Sequence, residues 1–261
     1  MCIRDRHKGV GYVGDVFTDE TLASLTGTSA IGHVRYSTTG SSSLANTQPI
    51  VSESSRGPIA VAHNGNLVNS HRIRRKLESQ GAIFQTTSDT EVILHLLARS
   101  PIEDLDQALR EVLLQIQGAY SMLLQTPETL YAIRDPYGVR PLCLGRLDDA
   151  YTLASETCAF DLIGGEYIRD IATGEILKIE DQKLKSFFLH PAPKQAHCIF
   201  EHVYFARPDS KVFNRSVHLS RYQMGRQLAR ESPVDADLVV PVPDYGVTAA
   251  LGYAYESGIQ F

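Results

Sequence analysis

The sequence is short of the features that most quickly fix a protein's class. No apolar run approaches the roughly 20 residues needed to cross a bilayer, and the opening MCIRDR has no apolar core of a signal peptide. A cytoplasmic location without a membrane partner is the expectation. The four cysteines, Cys2, Cys143, Cys158 and Cys198, lie far apart and form no CxxC pair, which fits reduced thiols rather than a disulfide framework. A basic excess is also missing. With 25 Lys and Arg against 30 Asp and Glu the net charge is −5, so no broad positive field exists for nucleic acid or an anionic surface. A local basic pocket for one phosphorylated small molecule stays open. There are no internal repeats and no low-complexity segments. What is present, 261 residues with 43% hydrophobic and 21% charged, suits one large domain, or one domain and part of another.

Along the chain, GVGYVGDVF, TSAIGHVRYST and GPIAVAHNGNL read as β-like runs with Gly or polar breaks. Asn69 is expected to cap a helix running to about Ser79, with Ile73 and Leu77 facing inward. Ser88 to Glu91 reads S-D-T-E, a capping box opening the helix VILHLLAR. A third helix is expected over Leu105 to Gln117 with Gly118 as its stop. Six strand-like runs follow: AYSMLLQT, TLYAIRD, VRPLCLGR, AYTLASE, GEILKIE and LKSFFLH. Strands, then helices, then strands predict a layered α+β domain rather than a Rossmann alternation. HPAPKQAH reads as a linker. Beyond it, SVHLSRYQMGRQLARES predicts an amphipathic helix, and ADLVVPVPDYGVTAALGYAYESGIQF a buried strand, a turn and a helix.

Four places could carry chemistry. Removal of Met1 would leave Cys2 with both a thiol and a free α-amine, a nucleophile and its base on one residue. In GHVRYSTTG, Arg35 offers a planar fork for a carboxylate beside the hydroxyls of Tyr36, Ser37, Thr38 and Thr39; a surface ion pair is the plainer reading. In AHNGNLVN, the Asn64 amide and the Gly65 N–H could point at one oxyanion, or form a simple Asn-Gly turn. In TTSDTE, Asp89 could bind a substrate ammonium, or merely favour a helix dipole. Together, an Arg for a carboxylate, an Asp for an ammonium and an Asn-Gly oxyanion pair describe an α-amino acid whose side-chain carbonyl is attacked.

GHVRYST, AHNGNLVN and TSDTE, in this order, resemble the glutaminase domain of class II glutamine amidotransferases. DPYGVRPLCLG, LASETCAFD, FEHVYFARPDS and VVPVPDYGVTAALGYA are similar, more narrowly, to the glutamine phosphoribosylpyrophosphate amidotransferases. The resemblance implies a four-layer αββα N-terminal-nucleophile sandwich over 7–190, a linker and connecting helix over 191–233, and the start of an α/β type I phosphoribosyltransferase domain over 234–261. It implies that Arg35 and Thr38 hold the glutamine carboxylate, Asp89 the ammonium, and Asn64 and Gly65 the oxyanion. A thiolate would attack the amide through a thioester. The released ammonia would meet phosphoribosylpyrophosphate, its pyrophosphate carrying magnesium, and give 5-phosphoribosylamine, the opening step of purine synthesis. Asp244, Tyr245 and Gly246 would border the pyrophosphate. Cys198 sits where some members place one ligand of a [4Fe–4S] cluster, and the full-length members imply a homo-oligomer.

The chain departs from that pattern at both ends. Ile3-Arg4-Asp5-Arg6 does not match the glycine-containing strand that follows the family's cysteine. The expectation is an unrelated leader over 1–6, with Cys2 not replacing the nucleophile, and a chain cut short at its C-terminal side; such a fragment would be inactive. Two other readings stand beside this one. One is a glucosamine-6-phosphate synthase-like glutaminase, disfavoured by Tyr36 and by FARPDS. The other is a noncatalytic glutamine-binding module.

Overall fold

The computed structural model describes residues 5–35, 43–189 and 194–261. In chain order the elements are α1 (Val13–Val16), α2 (Asp19–Ser24), β1 (Ile50–Ser54), β2 (Gly57–Leu67), α3 (Ser70–Ser79), α4 (Glu91–Arg99), α5 (Leu105–Leu113), β3 (Gly118–Gln125), β4 (Thr129–Arg134), β5 (Cys143–Leu147), β6 (Ala150–Ala154), α6 (Cys158–Ile163), β7 (Glu166–Asp170), β8 (Glu175–Glu180), β9 (Lys183–Phe188), β10 (Lys211–Val212), β11 (Arg215–Ser216), α7 (Val217–Glu231) and α8 (Val247–Ser257). The chain divides into two compact units: Met1–Arg140 with Ile171–Gln195, and Pro141–Asp170 with Ala196–Phe261.

The first unit is built on a six-stranded antiparallel sheet in the order β1-β2-β3-β4-β8-β9. Strand alternation sends Ile59, Val61 and Leu67 to one face, where they join Ile93 and Leu97 of α4 and Leu109 and Val112 of α5 in one core. Each such side chain contributes about 1.5–3 kcal/mol on full burial. Polar ties fix the helices to the sheet. The Tyr131 hydroxyl donates to Asp106 of α5 at 2.7 Å. The Arg56 guanidinium donates to the carbonyls of Leu97, Ser100 and Glu103 at 3.0, 2.8 and 3.0 Å, satisfying the C-terminal end of α4 and the turn after it.

The second unit holds a three-stranded antiparallel sheet, β6-β5-β7, the short β10-β11 hairpin and the α7–α8 pair. The Glu156 carboxylate accepts from Arg207 N–H and the Ser210 hydroxyl, both at 2.7 Å, and Thr157 accepts from Lys211 N–H at 2.8 Å. These bonds join the small sheet to the C-terminal segment. In α7 and α8 the backbones come close enough that a Cβ on Gly225 would lie 1.8 Å from the Ala249 carbonyl oxygen, and one on Gly252 2.0 Å from that of Tyr222.

Several expectations need correction. GVGYVGDVF is not a strand: Val13–Val16 is a short helix, and TSAIGHVR forms no strand through Arg35. β-branched residues favour strands only where a ladder partner exists, and here Tyr12, Val13 and Val34 stay exposed. The capping box at Ser88–Glu91 does not form. Thr90 is the N-cap without a side-chain bond, because the Glu91 carboxylate turns to the Gln85 and Thr86 N–H groups at 2.7 and 2.8 Å. Asn69 is the N-cap residue of α3, which ends at Ser79 as expected, but its side-chain amide binds Gln115 O and Gln117 N–H, both at 2.9 Å, instead of the helix. The third helix stops at Leu113, and Gly118 opens β3. β7 was not expected at all. The VVPV run is not a buried strand: Val240 and Val242 are exposed, and the single bridge there pairs Leu238 with Gln260, short of the flanking ladders a buried parallel strand needs.

The α7–α8 approach sets a test. Gly252→Ala or Gly225→Ala should cost about 1–3 kcal/mol of unfolding free energy, read as a lowered denaturant midpoint. Gly14→Ala, where a Cβ meets nothing within 4 Å, should leave it unchanged.

Candidate functional site

Strand β2 positions the site because β1 stops early. Ile50 is the last β1 residue paired with it, opposite Val61. Beyond that point, alternate backbone groups of β2 still face the β1 side, and other groups meet them. His63 donates its N–H to Gln48 Oε1 at 2.6 Å and accepts from Gln48 Nε2 at 3.2 Å. The register places Gln48 opposite His63, so a side-chain amide stands in for a backbone. By strand alternation the N–H of Gly65, two residues on, belongs to the same edge. Two more, the Leu67 N–H donates to Asp89 Oδ2 at 2.8 Å.

Gly65 sits at φ +152° opposite Tyr120. A Cβ there would lie 2.0 Å from the Ala119 carbonyl oxygen and 2.8 Å from His63 Nε2, so no side chain fits. Asn64, half-buried, pairs with Ser121 and projects from the other face of the strand. Asp89 is partly exposed, with Oδ1 3.5 Å from the Thr90 hydroxyl and 3.9 Å from His63 Nδ1. Arg35 Nη1 donates to the Asn46 carbonyl at 3.2 Å. The sequence-predicted Arg35, Asn64, Gly65 and Asp89 therefore all lie in the first unit, tied by β2 and the segments hydrogen-bonded along its edge. Thr38 and Cys2 lie outside the described residues.

The remaining candidates belong to the second unit. Asp244 and Tyr245 precede α8, whose N-cap is Gly246. The Tyr245 ring stands 4.5 Å from that of Tyr204 and 5.7 Å from the Arg221 guanidinium. Cys198 is a half-buried free thiol whose carbonyl accepts from Glu201 N–H at 3.2 Å. The Cys143 thiol donates to Ala154 O at 3.1 Å, and that of Cys158 is 3.8 Å from Glu156 Oε2. Among the described residues no three His, Cys, Asp or Glu gather to hold a metal, so this donor set does not fit a [4Fe–4S] cluster. Nor does any helix among them have the length and apolar character to cross a membrane.

The family model of the glutamine amidotransferase domain matches residues 33–161, which include Arg35, Asn64, Gly65 and Asp89. An amidophosphoribosyltransferase of Archaeoglobus fulgidus is 50% identical over 256 residues, 97% of this chain and 56% of that protein. The chloroplastic amidophosphoribosyltransferase 2 of Arabidopsis thaliana is 51% identical over 254 residues, 97% of this chain and 45% of its own. Among solved structures, the glutamine phosphoribosylpyrophosphate amidotransferase from B. subtilis, complexed with ADP and GMP, superposes with a TM-score of 0.92 at 44% identity, covering 97% of this chain and 55% of that one. The chain is thus similar to amidophosphoribosyltransferases along nearly its whole length. It spans about half the length of the curated relatives it matches. Its fold is the α+β N-terminal-nucleophile fold of those relatives.

Sequence reasoning passed over two residues beside these candidates, His63 and Gln48. The alternation in IAVAHNG places His63 on the face of Val61, a legible sign of burial; nothing local marked Gln48 as a strand substitute. The His63 ring is buried with Nδ1 3.1 Å from the Thr90 hydroxyl and Nε2 3.5 Å from the Ala119 carbonyl. A carbonyl only accepts, so the neutral ring with this bond carries its proton on Nε2, and Nδ1 faces the Thr90 hydroxyl, which also lies 3.5 Å from Asp89 Oδ1.

Burial pushes His63 below its ordinary value; Asp89 and the Ala119 bond oppose this, and the Arg140 charge adds to it. His33 is pushed down to about 4, first by burial and then by the charges of His63 and Arg35. Both rings are thus neutral in the folded chain at pH 7. Unfolded, each takes up a proton near pH 6.5. The unfolded chain then binds more protons, and stability falls as the pH drops below about 6.5. A lower melting temperature at pH 5 than at pH 7 is expected, with a smaller drop in His33→Gln; equal melting at both pH values would contradict the assignment.

Proposed function

We propose that this chain binds L-glutamine as an α-amino acid and presents its side-chain amide to the Gly65 N–H and the Asn64 amide. This is the glutaminase part of an amidophosphoribosyltransferase. The observation that carries the reading is Asp89 held by the Leu67 N–H two residues beyond Gly65 on one strand edge. It leaves Oδ1 to accept an ammonium beside a backbone donor aimed at a carbonyl. Arg35 supplies the carboxylate partner, joined on the family resemblance by Thr38. For the protein as a whole we assign the family reaction: glutamine, phosphoribosylpyrophosphate and water give 5-phosphoribosylamine, glutamate and pyrophosphate. Asp244, Tyr245 and Gly246, at the N-terminus of α8, suit the edge of a pyrophosphate site, where helix N–H groups favour anions. The relatives' names at about half identity support this assignment.

Magnesium would enter with the second substrate. Among the described residues Asp244 is the carboxylate of that loop.

The nucleophile is the exception. Cys143, Cys158 and Cys198 belong to the second unit, and Cys2 is followed by Ile3-Arg4-Asp5-Arg6, which does not match the family's glycine-containing strand. We assign the 261-residue chain glutamine binding without amide hydrolysis.

Titration calorimetry with L-glutamine should give saturable binding. Asp89→Asn should weaken it about 10-fold or more, the scale of a charged hydrogen bond. No binding, or binding indifferent to Asp89, would refute the site. Ammonia release from glutamine is expected to be absent; release that Cys2→Ala abolishes would instead make Cys2 the nucleophile.

A further inference from the structure

The two groups that would read the backbone of an α-amino acid, Arg35 and Asp89, sit on separate segments 54 positions apart. Their spacing must match the short distance between the carboxylate and ammonium on one carbon. Arg35 is on an exposed coil. One buried residue meets both segments. Asn46, 2% exposed, accepts from Arg35 Nη1 through its backbone carbonyl at 3.2 Å. Its side-chain amide grips Thr87 twice: Nδ2 donates to Thr87 Oγ1 at 2.9 Å, and Oδ1 accepts from Thr87 N–H at 2.9 Å. Thr87 is two residues from Asp89.

The far side of the Asp89 loop is braced independently. Arg74 Nη1 donates to Thr86 O at 2.8 Å. The Glu91 carboxylate holds Gln85 N–H, Thr86 N–H and the Thr86 hydroxyl at 2.7, 2.8 and 2.7 Å. The loop therefore keeps its shape without Asn46. What would be lost is the register between that loop and the Arg35 segment.

We propose that Asn46 is a positioning residue that sets the Arg35–Asp89 spacing and so determines preference for an α-amino acid over a carboxylate lacking the α-ammonium. This rests on the glutamine-binding reading above. A bidentate amide suits the task because two bonds fix direction as well as distance. With the clamp released, a ligand seated on Arg35 no longer brings its ammonium into line with Asp89, and the ammonium adds less to binding.

The test compares L-glutamine with 4-carbamoylbutanoate, which is glutamine without its ammonium. Affinities of both are measured on the full chain, its Asn46→Ala variant and Thr87→Val, with melting temperatures alongside. Thr87→Val removes the hydroxyl that accepts Nδ2–H and keeps the backbone bond. It lies at an exposed position and carries the test if Asn46→Ala fails to fold. The expected result is an unaltered melting temperature for Thr87→Val and a preference for L-glutamine reduced about 3- to 10-fold in Asn46→Ala, less in Thr87→Val, the scale of one to two hydrogen bonds. Variants that keep the wild-type preference, or that weaken both ligands equally, overturn the clamp and leave the glutamine site standing. A wild-type chain with no preference between the two ligands overturns the glutamine reading and the clamp together.

Discussion

The site depends on an antiparallel ladder that ends before its strand does. β2 runs to Leu67, but β1 pairs with it only as far as Val61. From there each outward backbone group needs a partner of another kind, since an unpaired buried N–H costs about 1–3 kcal/mol. Gln48 serves His63 and Asp89 serves Leu67. Gly65, between them and exposed to solvent, is the donor we propose for the ligand. A longer β1 would have closed this edge, and a bulkier residue at position 65 would have met the Ala119 carbonyl.

The polar groups around that edge form one continuous system. The His63 imidazole backs Gly65 and lies between the Thr90 hydroxyl and the Ala119 carbonyl. Asp89 lies beside Thr90 at the start of α4. Glu91, one residue on, reaches back to hold the 85–86 backbone. Asn46 joins this loop to Arg35. The apolar helices α4 and α5 hold the arrangement to the sheet through Ile93, Leu97, Leu109 and Val112. Precision at the edge thus rests on burial beneath it, as a preorganised site requires.

Much of this was legible because local patterns carried it. The alternation of GPIAVAHNGNL marked β2, the 3.6-residue spacing of Leu105, Leu109 and Val112 marked α5, and all six later strand runs formed. Arg35, Asn64, Gly65 and Asp89, proposed through motif chemistry, all lie in the first unit. What escaped reading was nonlocal. Glu91 looked like a capping-box partner but serves residues 85 and 86, and Asn69 looked like a cap but serves 115 and 117. In each case a polar side chain had two partners of similar worth and tertiary packing chose the more distant. GVGYVGDVF and VVPV failed for a related reason: β propensity needs a ladder partner, and the structure gives these segments little or none. Gln48 was unreadable because imitating a strand requires knowing where the strand stops.

The central claim is that the Gly65 N–H is the donor offered to a glutamine side-chain carbonyl. An assigned amide proton–nitrogen NMR spectrum of the chain, recorded through a titration with L-glutamine, tests it most directly. The account expects the Gly65 cross-peak to move downfield and saturate with the ligand, while the His63 amide, already held by Gln48, moves little. A Gly65 peak that stays fixed while L-glutamine shifts residues elsewhere would contradict it.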